Sequence, residues 1–225
     1  MRKEFVINNF DRHLLISENG MTMLIDTGSP FSISDTDLEF CGKHFGQFNN
    51  PINIDQVAKL LGTHIDALIG YDIISKFSVL FDYPGQRITF SDKPMTLDGA
   101  DSMPIRLTMV IPNINLTVHG QEGPYFLDTG AKISYVDPLV TNGMTAVGEE
   151  KDFYIDIGNF TTPVFNVEVM LGQHQFNVRF GNLPGKLNAA LIGRTGARGV
   201  IGYDLLKHFK ILIDNQNGVM HYLPA

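Results

Sequence analysis

One pattern occurs twice in this chain, and that repetition limits its fold more than any other feature. Met23-Leu24-Ile25-Asp26-Thr27-Gly28-Ser29 and Tyr125-Phe126-Leu127-Asp128-Thr129-Gly130-Ala131 each run an apolar stretch into the triplet Asp-Thr-Gly. Ala67-Leu68-Ile69-Gly70-Tyr71-Asp72-Ile73-Ile74 and Gly199-Val200-Ile201-Gly202-Tyr203-Asp204-Leu205-Leu206 follow in the same order, each an apolar segment ending at glycine and opening onto a short helix-like stretch. A chain repeated in this way folds as two copies of one supersecondary unit packed together. The aspartates lie 102 positions apart and the glycines 132, so the second half holds 30 more residues between its motifs than the first.

Between these motifs the sequence reads mostly as strand. Alternating apolar positions and turn residues predict a hairpin of 13–17 with 21–25 around Glu18-Asn19-Gly20, and one of 114–118 with 125–127 around 119–123. Both Asp-Thr-Gly triplets therefore follow a hairpin. Two more hairpins, 79–82 with 87–90 around Pro84-Gly85 and 211–214 with 219–222 around Asn215-Gln216-Asn217-Gly218, close the halves. Helix is expected only at 54–61, 73–77 and 205–209. The polar run 91–102 has the Pro, Gly and Asp content of a linker and divides the chain into an N-terminal lobe, 1–98, and a C-terminal lobe, 103–225.

A single Asp-Thr-Gly is weak evidence, since average composition places such a triplet by chance in roughly one chain in twenty of this size. Two copies in the same strand context form a repeat rather than a coincidence. On the residues alone, the alternative is a tandem β-fold whose Asp and Gly serve ordinary turns. The chemical reading starts from amide hydrolysis without a metal or a covalent nucleophile. It needs one carboxylate as base for water and one carboxylic acid to polarise the carbonyl, and one aspartate from each half supplies both.

Two carboxyls about 3 Å apart cannot both ionise, so Asp26 and Asp128 would hold one proton over a range of pH and titrate as a unit. Gly28 and Gly130 would let the backbone turn tightly beside the pair and donate N–H groups to it. Thr27 and Thr129 would brace the two loops against each other, with plain β-branched packing as the alternative. Ser29 carries a hydroxyl that can donate to the nearby carboxylate, whereas Ala131 carries none. That difference predicts Asp26 as the more readily ionised member and Asp128 as the proton carrier.

On these motifs the chain resembles the retropepsin-like and pepsin-like aspartic peptidases, with both halves fused in one polypeptide. The resemblance implies an all-β, bilobal acid-protease fold of two pseudo-symmetric β-barrel lobes. It implies catalytic Asp26 and Asp128, supported by Thr27, Gly28, Ser29, Thr129, Gly130 and Ala131, with Leu68-Ile69-Gly70 and Val200-Ile201-Gly202 behind them. The activity implied is that of an endopeptidase acting on an extended peptide or protein, with no cofactor and no metal.

In the second half, a strand at 152–156, a Gly158-Asn159 turn and a strand at 161–167 precede a hairpin of 168–171 with 174–180. This is similar to the family's flap followed by its core hairpin, and places the flap at 154–165, with an ordinary extra hairpin as the alternative. The first half has only Phe40-Cys41-Gly42 to Asn49-Asn50-Pro51 and the helix at 54–61 between its motifs, which leaves little room for a second flap. In pepsin-like relatives the single flap belongs to the first half, so here the lid would sit on the opposite lobe. Two rivals follow from that departure: a non-catalytic peptide-binding module of the same fold, and a processing protease active on one partner only.

Other signals narrow the field. A formal charge of −7 and the lack of any Lys/Arg-rich run exclude nucleic acid as an expected partner. Cys41 stands alone, so cysteine builds no internal disulfide or zinc cluster, and the seven histidines show no metal-ligand spacing. No run of some eighteen apolar residues predicts a membrane span, and the N-terminal segment lacks a signal-peptide core, so a cytoplasmic protein is expected. Gly193-Arg194-Thr195-Gly196-Ala197-Arg198-Gly199 lacks the Lys-Ser/Thr ending of a phosphate loop and is read as a flexible loop before a strand. With both aspartates in one chain, the expected state is a monomer.

Overall fold

The computed structural model describes residues 1–46, 48, 51–155 and 157–225. Strands dominate, and the chain folds into two lobes with little helix, an all-β bilobal architecture. In the first lobe a five-stranded sheet runs in the order Asn8–Phe10, His13–Glu18, Met21–Ile25, Ala67–Ile69, Ile33–Ser34. In the second lobe an eight-stranded sheet contains the matching hairpin, Ile111–Val118 with Gln121–Leu127, and the matching parallel neighbour, Gly199–Ile201. The two parallel pairings correspond: Leu24 lies opposite Leu68, and Phe126 opposite Val200.

A third sheet of six strands joins the lobes. Arg2–Val6, Arg87–Ser91 and Ser78–Asp82 come from the first half, and Phe209–Asp214, Val219–Pro224 and Asp101–Pro104 from the second. Its central pairing, Ser78–Asp82 against Phe209–Asp214, sets Leu80 opposite Leu212. Asp101–Pro104 is thus a strand paired with Val219–Pro224, not linker as expected for its first residues. Pairing with a long neighbour overrides the turn-like composition of Asp101 and Ser102.

The core follows from strand alternation. Phe40, Phe77 and Phe90 are fully buried and meet edge to face, with Phe40 and Phe90 at 5.0 Å and 84°. A smaller cluster lies under the helix Ile54–Leu61, which buries Ile54, Val57 and Leu61 on one stripe against Leu15, Leu24 and Leu68. Full burial of each such side chain is worth about 1.5–3 kcal/mol. Asn53 and Gln56 form a capping box at its start, and Gly62, at φ +84°, ends it.

Several boundaries differ from the sequence reading. The two hairpins ahead of the Asp-Thr-Gly loops turn on two residues each, Asn19-Gly20 and His119-Gly120, all at positive φ. The run 121–123 is therefore strand, because a two-residue turn of this type suits the twist of the strands it joins. The short helices are Tyr71–Ile74 and Tyr203–Leu206, starting directly after Gly70 and Gly202 and each a single turn long. Phe209 begins a strand by pairing with Pro224 rather than ending a helix. The run 193–199, read as a flexible loop, is helical at its start: the helix Gly185–Asn188 passes into a π-helical turn, Ala189–Gly193, and on through Arg194 and Thr195, and Gly199 already belongs to the next strand.

The hairpin expected at 154–165 is longer and set earlier: Gly148–Tyr154 pairs with Gly158–Val164, from Gly148 opposite Val164 to Tyr154 opposite Gly158. Gly158, at φ +83°, closes the turn instead of heading it. Asp156, expected in the first strand, lies outside the described residues, as do Asn49 and Asn50 of the first-half segment.

Candidate active site

Each Asp-Thr-Gly loop leaves its strand at the same point. The Asp26 amide donates to the Ile69 carbonyl and the Asp128 amide to the Ile201 carbonyl, both at 3.0 Å. Gly70 and Gly202 then pass so close to the loops that an added Cβ would lie 2.5 Å from the Phe31 carbonyl carbon or 2.3 Å from the Ile133 carbonyl oxygen. Only glycine fits there. The residues after them fasten the loops: the Tyr71 amide donates to Ser29 O at 2.8 Å, and the Tyr203 amide to Ala131 O at 2.9 Å. Ser32 Oγ and Ser134 Oγ accept from the Gly70 and Gly202 amides.

The loops meet at the lobe junction. The Thr27 amide donates to Thr129 Oγ1 and the Thr129 amide to Thr27 Oγ1, each at 3.0 Å, while the two hydroxyls donate to Leu127 O and Ile25 O across the junction. Both threonines are buried, so these four bonds replace water for groups that would otherwise be left unpaired. A Cβ on Gly28 would lie 2.2 Å from Asp128 Cγ, and one on Gly130 would lie 2.6 Å from Asp26 Cγ. Each glycine is the space into which the opposite aspartate fits.

Asp26 and Asp128 are half-buried at the lobe junction, with their carboxyls placed to hydrogen-bond to each other. Asp26 Oδ1 accepts from the amides of Gly28 and Ser29 at 2.9 and 3.0 Å, and Asp128 Oδ1 from those of Gly130 and Ala131 at 2.8 and 3.1 Å. Burial raises the pair above the ordinary carboxylate range, and the charge of one carboxyl on the other adds to it, so the two hold one proton between them. The sequence reading assigns that proton to Asp128 on the strength of a Ser29 hydroxyl bond to Asp26, which does not form. The Ser29 hydroxyl donates to Phe31 O at 2.7 Å rather than to Asp26, and backbone amides at 29 and 131 serve both carboxyls alike.

The pair lies at a cavity of about 430 Å³ between the lobes. Pro30, Phe31, Ile33, Val57 and Leu68 line it from the first lobe, and Leu183, Leu187, Leu191 and Val200 from the second. The hairpin Gly148–Tyr154 with Gly158–Leu171 reaches across from the second lobe and contributes Asp152, Phe153, Tyr154, Ile155 and Phe160. Phe153 and Ile155 pack against the apolar cluster under the first-lobe helix. The base of the hairpin is fixed to the first lobe by charge: Arg12 Nη2 meets Glu150 Oε1 at 2.8 Å, and Lys132 Nζ donates to Asp11 Oδ2 and Lys151 O.

Sequence reasoning did not single out Tyr135, Asp152, His13 or the helical segment that supplies Leu187 and Leu191. Tyr135 stands seven residues after Asp128 and donates to Asp152 through its hydroxyl. Burial holds that hydroxyl protonated to well above the ordinary tyrosine range, with the Asp152 charge adding to the effect. His13 is buried and stacked on Phe153 at 5.6 Å, and its desolvation lowers it to about 4. Among the described residues, no cluster of three or more His, Cys, Asp or Glu is placed to hold a metal ion, and no helix is long and apolar enough to cross a membrane.

Among solved structures, the chain is similar to the aspartic proteinase of Irpex lacteus, with a TM-score of 0.59 and 12% identity over 100% of this chain and 98% of that one. This chain has the pepsin-like aspartic peptidase fold. No protein-family model and no curated protein sequence matches it. Within that fold, the cavity-spanning hairpin here belongs to the second lobe, and the corresponding stretch of the first lobe holds the short hairpin Leu38–Phe40 with Lys43–Phe45 and the helix Ile54–Leu61.

Proposed function

We propose that this protein is an aspartic endopeptidase, in which a water held between Asp26 and Asp128 attacks the carbonyl of an extended peptide. The observation that carries this reading is the pair itself: two half-buried carboxyls, one from each lobe, brought together at an apolar cavity. Ionised Asp26 takes a proton from water as its oxygen bonds to the carbonyl carbon. Protonated Asp128 gives its proton to the carbonyl oxygen. Collapse of the resulting diol returns a proton to the departing nitrogen, breaks the C–N bond and restores the carboxyl pair.

The cavity favours apolar side chains on both sides of the scissile bond. Gly148–Tyr154 is the last strand of its sheet, so its outer edge is available for an extended peptide to add to, and the hairpin would act as the lid. Both carboxyls come from one chain, so a monomer suffices for the site.

A second reading, a processing enzyme opened by one protein partner, is favoured by the packing of Phe153 and Ile155 onto the first lobe and by the Arg12–Glu150 and Lys132–Asp11 pairs, which hold the hairpin down in the free protein. A diverse peptide library assayed from acidic to neutral pH tests the main reading. Cleavage between apolar residues is expected. Failure on the library with cleavage of a single lysate protein would move the assignment to the gated enzyme, and binding without products at any pH would leave a peptide-binding module.

A further inference from the structure

The hairpin carries a third carboxyl into the cavity. Asp152 is buried at 7% exposure and lines the same cavity as Asp26 and Asp128. Its position is fixed twice over: Oδ2 accepts from the Tyr135 hydroxyl, and Oδ1 from the Phe153 amide at 2.8 Å. Tyr135 itself lines the cavity from the body of the second lobe, so this hydrogen bond joins the hairpin to the floor beside the pair. An apolar side chain would fill this place at less cost, since a buried carboxylate must be compensated by partners. Asp152 has such partners, and they hold its carboxyl beside the pair.

We propose that Asp152 is a positioning residue of the reaction, a carboxylate whose negative charge bears on the Asp26–Asp128 pair only while the hairpin is down, so that closing over a peptide and holding the shared proton are one event. The inference rests on the peptidase reading for its consequence in catalysis, though not for the coupling itself. Geometry supplies the switch: the pair sits on the rigid lobe junction, and Asp152 rides on a hairpin fastened by Tyr135 and by the packing of Phe153 on His13. In keeping with it, Asp128 is raised by burial, by Asp26 and also by the charge of Asp152.

Asp152 ionises above the ordinary carboxylate range. Burial raises it and Glu150 on its own strand adds to that, whereas the Tyr135 hydrogen bond, the Phe153 amide and Lys132 oppose. His13 faces it from the first lobe across a second cavity of about 480 Å³ and stays neutral until acid pH, while Asp11 and Lys151 at the same cavity bracket Lys132. The sign follows. Where Asp152 is ionised, the pair keeps its proton to higher pH, and the alkaline limb of activity extends toward neutrality. At acid pH, where Asp152 is itself protonated, the effect vanishes.

The test is a carbon-13 carboxyl titration of the resting protein, run with pH–rate profiles, on wild type, Asp152→Asn, Asp152→Glu and Tyr135→Phe. Asn keeps the shape and can still pair with Tyr135, so it removes charge alone. Asp152→Asn is expected to move the upper titration step of the pair, and the alkaline limb of kcat/KM, to lower pH. It costs several-fold in rate on that limb, and less toward the acid end of the profile. Asp152→Glu keeps the limb in place, and Tyr135→Phe, which leaves Asp152 ionised over less of the range, moves it part of the way. A uniform loss at every pH with the titration step unmoved would reduce Asp152 to a structural residue and overturn the proposal. A moved step in a protein that cleaves nothing would instead sink the peptidase reading while leaving the coupling intact.

Discussion

The two lobes agree atom for atom at the floor of the site and part company everywhere above it. Asp26 and Asp128, Thr27 and Thr129, Gly70 and Gly202, and Tyr71 and Tyr203 make matching hydrogen bonds within 0.2 Å of each other. Between these points the first lobe spends its residues on a capped helix, and the second on a long hairpin and a helical wall. The difference teaches that a shared proton demands symmetry only where the carboxyls meet. What covers the cavity is free to differ, and here it breaks the equality of the pair by adding Asp152 on one side.

The sharpest way to break the symmetry is to fill one glycine at a time. Gly28→Ala and Gly130→Ala each drive a methyl into the opposite aspartate, so both are expected to lose about a hundredfold or more in kcat/KM. Tolerance of one but not the other would show that the lobes do not contribute equally.

The next test concerns the asymmetric part. The strand His13–Glu18 begins with a buried histidine where the topologically matching strand Ile111–Val118 begins with isoleucine. Burial lowers His13 from 6.5 to about 4, so the unfolded chain binds its proton first as pH falls. Stability is therefore lost between pH 6.5 and about 4, by about 3 kcal/mol, and no further below that window. His13→Phe, measured by urea unfolding at both ends of the window, should lose that much less than wild type on acidification. An unchanged dependence would mean that His13 titrates normally.

Smaller effects sharpen the comparison at the junction. Thr27→Val and Thr129→Val keep the shape and remove the hydroxyl, and each should cost about 1–3 kcal/mol in thermal or urea unfolding, by similar amounts. A large inequality would contradict the reciprocal bracing. Smallest of all, His119→Asn gives the second hairpin the Asn-Gly turn of the first, and should stabilise by less than about 0.5 kcal/mol.

The parts legible in the sequence are those whose physics is local. Strand, turn and glycine requirements at Asp26 to Ser29 and at Asp128 to Ala131 can be read from seven residues, and the fold follows from seeing them twice. The covering elements depend on contacts between distant segments: Asp152 finds Tyr135, His13 finds Phe153, and Leu187 and Leu191 line the cavity from successive α- and π-helical turns. Ser29 shows the same limit on a smaller scale. Its hydroxyl stands three residues from Asp26, yet the local turn presents Phe31 O to it instead. The signal for Asp152 that could have been used was an acidic residue within an otherwise cavity-facing aromatic run, Asp152-Phe153-Tyr154.

The most direct test of the account is the matched pair of single variants, Asp26→Asn and Asp128→Asn, assayed on one cleaved peptide across the pH range. The account predicts that both lose activity by about 10⁴-fold, as general acid and general base are each removed, while peptide binding persists. Cleavage at the wild-type rate by either variant would contradict a reaction that needs one carboxyl from each lobe.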